Sequence, residues 1–274
     1  MELKKKRKPI VSGLASLLAV GLGQLYNGKF IQGILLNIFV LGGFTFSFVV
    51  VPSITHKPLS VMFSLIIGLL LVGVIQGYSV VEAYKDSKSK PEYVLKSYNK
   101  WYMYGLYAIL SMVIIGVLRE AMPLKTYKIP AKSMEPTLIV GDHFYVDKAA
   151  YNKNNPKRGD IIVFEFPEDK AKDFIKRVVA IPDDNVEIIN KNLVVNGEVQ
   201  KEGYVQYVDS ESLKQRDNMS KIIVPANKYF VMGDNRDRSY DSRFWGSIEK
   251  EKIKGKALFI YYSKQLSRAL TEIK

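Results

Sequence analysis

Ile129-Pro-Ala-Lys-Ser-Met-Glu-Pro-Thr-Leu138 divides the chain into two unlike halves. Ahead of it the sequence is dominated by long apolar runs of helical character. Behind it those runs stop, and short alternating segments separated by turn residues take over. Within the stretch, Ser133 lies between Pro130 and Pro136, which restrict the backbone on both sides. A hydroxyl fixed on a stiff turn beside apolar spans suits a nucleophile that meets its substrate at a membrane surface. A Ser-Thr-Pro surface turn would look the same in isolation, so the decision falls to the rest of the chain.

The 274 residues leave room for one or two domains and a sizeable core. There is no cysteine, which excludes a disulfide framework and a thiolate metal site. With only His56 and His143 as histidines, no ordinary zinc centre and no other metal or cofactor is expected. The net charge of +13 is unevenly spread: residues 1–121 contribute +8 and residues 122–274 contribute +5. Positive charge concentrated beside apolar spans fits anionic lipid head groups and membrane topology, and no nucleic-acid partner is expected.

Residues 4–8 are Lys-Lys-Lys-Arg-Lys, directly ahead of an apolar stretch, as at the charged end of a signal peptide. More apolar segments follow without a clean small-x-small cleavage site, so the segment reads as retained. Segments 30–51, 60–81 and 101–118 carry no charged residue, and each can cross a hydrocarbon core, which takes about 20 helical residues. A fourth, 10–22, would cover only ~20 Å as a helix and is expected to dip into the cytoplasmic leaflet or lie along it. Charge sets the orientation. The linker 82–100 has five lysines against three acids, whereas the loop 52–59 has only Lys57. Keeping the N-terminus and that linker in the cytoplasm requires an even number of spans between them, which two full spans satisfy. The third then exits, leaving everything from about Met122 onward outside the cytoplasm. Gly21-Leu-Gly-Gln-Leu-Tyr-Asn-Gly28 looks like the glycine-rich turn of small two-helix membrane domains, suited to close helix approach.

From Leu124 the apolar period falls toward two, and 160–166, 174–181, 186–189, 193–195, 222–224, 229–232 and 257–262 read as strands. Asn196-Gly197 marks a hairpin between 193–195 and 198–200. The fold class is therefore α+β: N-terminal transmembrane helices followed by a mainly antiparallel β domain. Residues 1–121 form the membrane region, with three full spans and one short apolar segment, and 122–262 the β domain. Residues 263–274 form a C-terminal tail expected as a short exposed helix. The polar stretch 201–221 reads as an inserted loop or small subdomain.

Two further constellations in the β domain carry chemistry. In Asp173-Phe-Ile-Lys-Arg-Val-Val-Ala-Ile-Pro182, a strand places Lys176 on one face with Phe174, Val178 and Ala180. Burial there disfavours the charged form, and a neutral amine near pH 7 is a usable general base. The alternative is an edge-strand lysine that reaches water along its stem. The second is Gly233-Asp-Asn-Arg-Asp-Arg-Ser-Tyr-Asp-Ser-Arg-Phe-Trp-Gly246, with three aspartates and three arginines between Asp234 and Arg243. Phe244 and Trp245 would be poorly placed on a solvated loop, so Arg–carboxylate forks holding a rigid, buried loop are expected. Asp142 and His143 invite a Ser-His-Asp triad with Ser133, but neighbours on a strand point to opposite faces. His143 is expected at the surface of a strand. Arg158-Gly-Asp160 has the form of an adhesion tripeptide but reads as a turn into the following strand.

Taken in order, these segments resemble the type I signal peptidases, membrane-bound Ser/Lys endopeptidases. The matches are Ser133-Met-Glu-Pro-Thr-Leu138, Gly141-Asp142 followed by Val146, and Arg158-Gly-Asp-Ile-Ile-Val-Phe164. They continue with Ile175-Lys-Arg-Val-Val-Ala-Ile-Pro182, Gly233-Asp-Asn-Arg-Asp237 and Asp241-Ser-Arg-Phe-Trp-Gly246. No single box is specific, but the ordered set is, over about residues 119–262. The resemblance implies Ser133 as nucleophile, neutral Lys176 as general base, and Ser239 as the hydroxyl that orients the amine. Asp234, Arg236, Asp241, Arg243 and Arg177 would stiffen the site. Tyr127, Ile129, Pro130, Ala131, Met134, Leu138, Phe174 and Ile175 match positions along the substrate, most of them lining shallow apolar pockets. A signal peptide of an exported protein would add as a β-strand beside residues 127–131 and be cut after an Ala-x-Ala-like sequence. Membrane lipid would be the other partner, in a multi-pass protein of a bacterial-type plasma membrane with its catalytic domain extracytoplasmic.

Two positions depart from the family pattern. Ala131 stands where many members carry a serine that helps bind the oxyanion, with Lys132 where glycine is frequent. The Ser133 N–H remains as one donor, and the second is unassigned. Pro182-Asp-Asp184 replaces the usual Pro-Gly-Asp, and a positive φ at Asp183 would carry only a local cost. Two other readings stay open: a protease dedicated to one surface or pilin-like precursor, and a non-catalytic membrane scaffold with a decayed site. The Ser/Lys self-cleaving repressors share the catalytic pairing, but membrane spans stand here in place of their DNA-binding half.

Overall fold

The computed structural model describes residues 4–90, 92–94, 96–211 and 213–274. It divides into two compact units, Met1–Met122 and Pro123–Lys274. The first is helical: α1 Pro9–Leu18, α2 Leu22–Tyr26, α3 Phe30–Ile54, α4 Pro58–Ser89 and α5 Trp101–Glu120. Strand β1, Lys4–Lys6, pairs antiparallel with β2, Glu92–Val94. Helices α3, α4 and α5 are long and apolar enough to cross a membrane. A π-turn, Phe46–Val50, interrupts α3 just before Pro52, which has no N–H to close an α-helical bond. Helix α4 runs past the apolar segment expected at 60–81, because no glycine or proline breaks it before Pro91.

The glycine-rich turn folds α1 and α2 into a hairpin packed on the C-terminal end of α4. Gly21 has φ +86°, and a Cβ there would stand 2.1 Å from Gly33 O; one at Gly23 would stand 2.2 Å from Ser12 O. Only glycine permits that approach. The polar residues of the turn then satisfy buried carbonyls of α4, with Gln24 Nε2 donating to Ser79 O at 2.8 Å and Asn27 Nδ2 to Ala83 O at 2.7 Å.

The second unit is antiparallel β throughout its named strands: β3 Leu124–Lys128, β4 His143–Asp147, β5 Ile161–Phe166, β6 Asp169–Ala180, β7 Asn185–Ile189, β8 Asn192–Val195, β9 Glu198–Val199, β10 Met219–Ile223, β11 Lys228–Met232, β12 Ile248–Glu249 and β13 Ile253–Tyr262. A seven-stranded sheet has the order β12-β11-β6-β5-β13-β4-β3, and a four-stranded one β10-β7-β8-β9. Both faces of β5 are covered, which is why it reads as a nearly continuous apolar run. Ile161 and Val163 join one core with Met134, Leu138, Phe144 and Val146. Ile162 and Phe164 join another with Val178, Tyr229 and Val231. The smaller sheet closes over Val186, Ile188, Leu193 and Val195.

Several sequence expectations shift. Strand β6 starts five residues before 174, because its charged, exposed N-terminal part continues the hairpin with β5 from Phe166↔Asp169. Strand β3 was not expected as such, and β4 was foreseen only at His143, without bounds; both are short and mix polar with apolar residues. Asn196 (φ 54°) and Gly197 (φ 84°) make the hairpin turn between β8 and β9, and Asp183 sits at φ 70°. Residues 263–274 are not an exposed helix. They make a single 3-10 turn at Leu266–Arg268, after which Ile273 enters the first core. Arg268 bonds the buried Asp142 carboxylate at 2.8 Å.

Candidate active site

Ser133 is the middle residue of a 3-10 turn, Lys132–Met134, anchored by Met134, which is fully buried. Lys176 projects from β6, opposite Ile162 of β5, with Nζ 5.3 Å from the centre of the Phe174 ring. Its side chain is 3% exposed, and its Nζ stands 2.8 Å from Ser133 Oγ and 3.0 Å from Ile175 O. No carboxylate touches it among the described residues. Burial pulls the amine from its ordinary 10.5 down to about 8; Asp241 and Asp234 act against that shift, and Arg243 adds to it.

Behind the pair lies a buried set of forked ion pairs. Arg177 holds Asp234 through Nε (2.9 Å) and Nη2 (2.7 Å), and its guanidinium lies 3.8 Å over the Tyr204 ring. Thr137 Oγ1 donates to the same carboxylate. Arg243 holds Asp241 through Nε (2.8 Å) and Nη2 (2.9 Å), and Arg236 bonds both oxygens of Glu202. Burial would raise Asp241, but the Arg243 charge and hydrogen bonds keep it below the ordinary carboxylate value. Asp241 also accepts from Gly233 N at 3.1 Å. Gly233 itself is wedged between the turn and the loop: a Cβ there would stand 2.3 Å from both Ser133 O and Ser239 Oγ. Ser239 is buried, and its hydroxyl helps to hold the Asp241 carboxylate low; among the described residues no hydrogen bond joins it to Lys176.

An open cleft of about 240 Å³ leads to the pair. Ile129, Pro130 and Ala131 line one side, Asp173, Phe174 and Ile175 the other, with Arg238 and Tyr240 also facing it. Tyr127 OH donates to the Asp173 carboxylate at 3.1 Å. Both walls carry free strand edges. β3 ends the large sheet, paired only with β4, and β6 meets β11 only from Arg177 onward. Met134 and Leu138, assigned to substrate pockets by resemblance, are fully buried in the core instead of lining the cleft. His143 begins β4, with its ring 5.3 Å from that of Tyr262, while Asp142 is bound to Arg268.

The sequence reading missed Glu202, Tyr204 and Arg216, all within the stretch taken as an inserted loop. Arg216 O accepts from Arg243 Nη1 at 3.2 Å, so this stretch buttresses the charged loop. Nothing local marks these residues. Arg238 and Tyr240 could have been found, since they lie inside the charged loop itself.

A family model described as signal peptidase, peptidase S26, matches residues 100–262. Signal peptidase I of Aquifex aeolicus is 38% identical over 211 residues, covering 56% of this chain and 82% of that one. Probable signal peptidase I-2 of Synechocystis sp. is 34% identical over 189 residues, with coverages of 67% and 80%. Signal peptidase I P of Bacillus subtilis subsp. natto is 38% identical over 160 residues, with coverages of 57% and 86%.

Proposed function

The chain belongs to the signal peptidase family, peptidase S26, and from that premise we propose that Ser133 is its nucleophile and neutral Lys176 its general base. It is a serine endopeptidase of the signal peptidase I type. The observation that carries the dyad is the 2.8 Å approach of a buried amine, with its pKa brought down to about 8, to the Ser133 hydroxyl. When protonated, the amine donates to Oγ. Once neutral, its lone pair accepts the Oγ proton as Oγ attacks the scissile carbonyl, and the ammonium then delivers that proton to the leaving amine. Water enters the acyl-enzyme by the same route in reverse.

The ion pairs of Arg177 with Asp234 and Arg243 with Asp241 hold the turn and loop so that this approach persists without thermal search. The Ser239 hydroxyl, packed against Gly233 beside the Ser133 turn, is placed to orient the amine. The Ser133 N–H serves as one oxyanion donor, and Ala131 offers no side-chain donor. The substrate is a signal peptide of an exported protein, added as a β-strand to the free edges flanking the cleft. Walls of Ile129, Phe174 and Ile175 select small side chains by exclusion. Helices α3, α4 and α5 span a bacterial-type plasma membrane, with the N-terminus and residues 82–100 cytoplasmic and the β unit outside.

The test is cleavage of a preprotein by the full chain in detergent. Ser133→Ala and Lys176→Ala each abolish cleavage, a loss of at least ~10³-fold. Activity retained in Lys176→Ala would defeat the assignment.

A further inference from the structure

The polar cluster at the cytoplasmic end of the first unit plays no part in this chemistry. Arg7, Asn27, Lys29, Asp86, Lys90 and Lys96 surround a pocket of about 260 Å³. Its single lining carboxylate is already shared: Asp86 pairs with Arg7 at 3.1 Å and with Lys29 at 2.9 Å, and Lys29 also meets Glu82 at 2.7 Å. Lys90 and Lys96 have no carboxylate partner among the described residues; the Lys96 amine reaches only Gly28 O, at 3.3 Å, and the Tyr98 ring. Asn27 is 1% exposed, and its Oδ1 has no hydrogen-bond donor. The site therefore offers two uncompensated cations beside one unfilled acceptor.

The pocket lies close to an apolar groove. A neighbouring pocket shares Gly28, Lys29 and Lys96 and extends to Phe30. Phe30 also heads a groove of about 340 Å³ between α3 and α5, which follows α3 to Leu41. From Phe30 to Leu41 the helix rises ~16 Å, about half of a ~30 Å hydrocarbon core, or one leaflet. Cations at the head group level, an acceptor beside them and one leaflet's depth of groove fit a single class of amphiphile.

We propose that this face binds one anionic phospholipid of the cytoplasmic leaflet. Its phosphate lies between Lys90 and Lys96, and one acyl chain fills the groove between α3 and α5. The inference rests on the proposed membrane embedding of this unit, which flotation of the full chain with vesicles tests on its own.

The binding test uses the full-length protein in nanodiscs of phosphatidylcholine alone or doped with phosphatidylglycerol, with retained lipid counted by native mass spectrometry. One phosphatidylglycerol is retained, with about thirtyfold preference over phosphatidylcholine, the selectivity two surface lysines supply. The exposed pair K90Q/K96Q folds normally and loses that preference, and Leu106→Trp, which fills the groove, weakens retention of both lipids. Equal retention of the two lipids, or a preference unchanged in K90Q/K96Q, overturns the proposal. So does full displacement by inorganic phosphate, which would make the ligand a soluble anion. Photo-cross-linking from position 106 to a preprotein's apolar segment, with no lipid captured, would give the groove to substrate and overturn it as well.

Discussion

Lys176 and Arg177 are neighbours on one strand, both buried, yet they meet opposite surroundings. Arg177 faces a carboxylate, a backbone carbonyl and an aromatic face, and is paired at every polar atom that matters. Lys176 faces the Phe174 ring, its own strand's carbonyl at Ile175 and one hydroxyl. Strand alternation alone separates the two by turning successive side chains to opposite faces. The residue types then respond differently. A guanidinium cannot shed its proton in a protein, so its burial demands a partner; an amine can, and desolvation makes it do so. One strand thereby holds a structural cation and the proposed base side by side.

Replacing the base with the other cation type is the harshest way to break this contrast. Lys176→Arg retains the positive charge but cannot accept the Ser133 proton, so preprotein cleavage falls at least ~10³-fold, as far as in Lys176→Ala. Single-turnover cleavage at alkaline pH reads this directly, and partial activity would mean that charge, not basicity, is what the position supplies. Arg177→Met attacks the other face. It strands Asp234 without its partner and lowers stability by about 3–5 kcal/mol, read as a fall in the denaturation midpoint, while Arg177→Met/Asp234→Leu regains most of it. A double variant no more stable than the single one would show that the pair is not what holds this loop. The smallest effect is expected at His143→Ala, which keeps cleavage within about twofold, because its ring packs on Tyr262 rather than serving the reaction. A loss there comparable to Lys176→Ala would return the base to histidine.

What the sequence disclosed follows the same division. The face assignment of Lys176 needed only alternation, and the three long apolar helices needed only length and the absence of charge. The Asp234–Arg243 loop announced a buried network through the density of its charges and the two aromatics beside them. Its partners were hidden because Glu202 and Arg216 lie in a polar stretch whose pattern is that of a surface loop, and their burial comes from tertiary closure. Met134 and Leu138 pack in the same core as Ile129, where a 3-10 turn carries Met134, a placement the local pattern did not announce. Ile273 is one of four apolar residues in a tail of mixed polarity, with nothing local to single it out, yet it joins the core.

On the proposed mechanism a dry amine, and not an imidazole, sets the proton chemistry. Its most direct test is the pH dependence of kcat/KM for preprotein cleavage by the wild-type chain. The rate is expected to climb about tenfold per pH unit on the acid side and to level off past a midpoint near 8, where the Lys176 amine becomes neutral. A profile flat across neutrality, or one that levels off near the ~6.5 of an ordinary histidine, would contradict it.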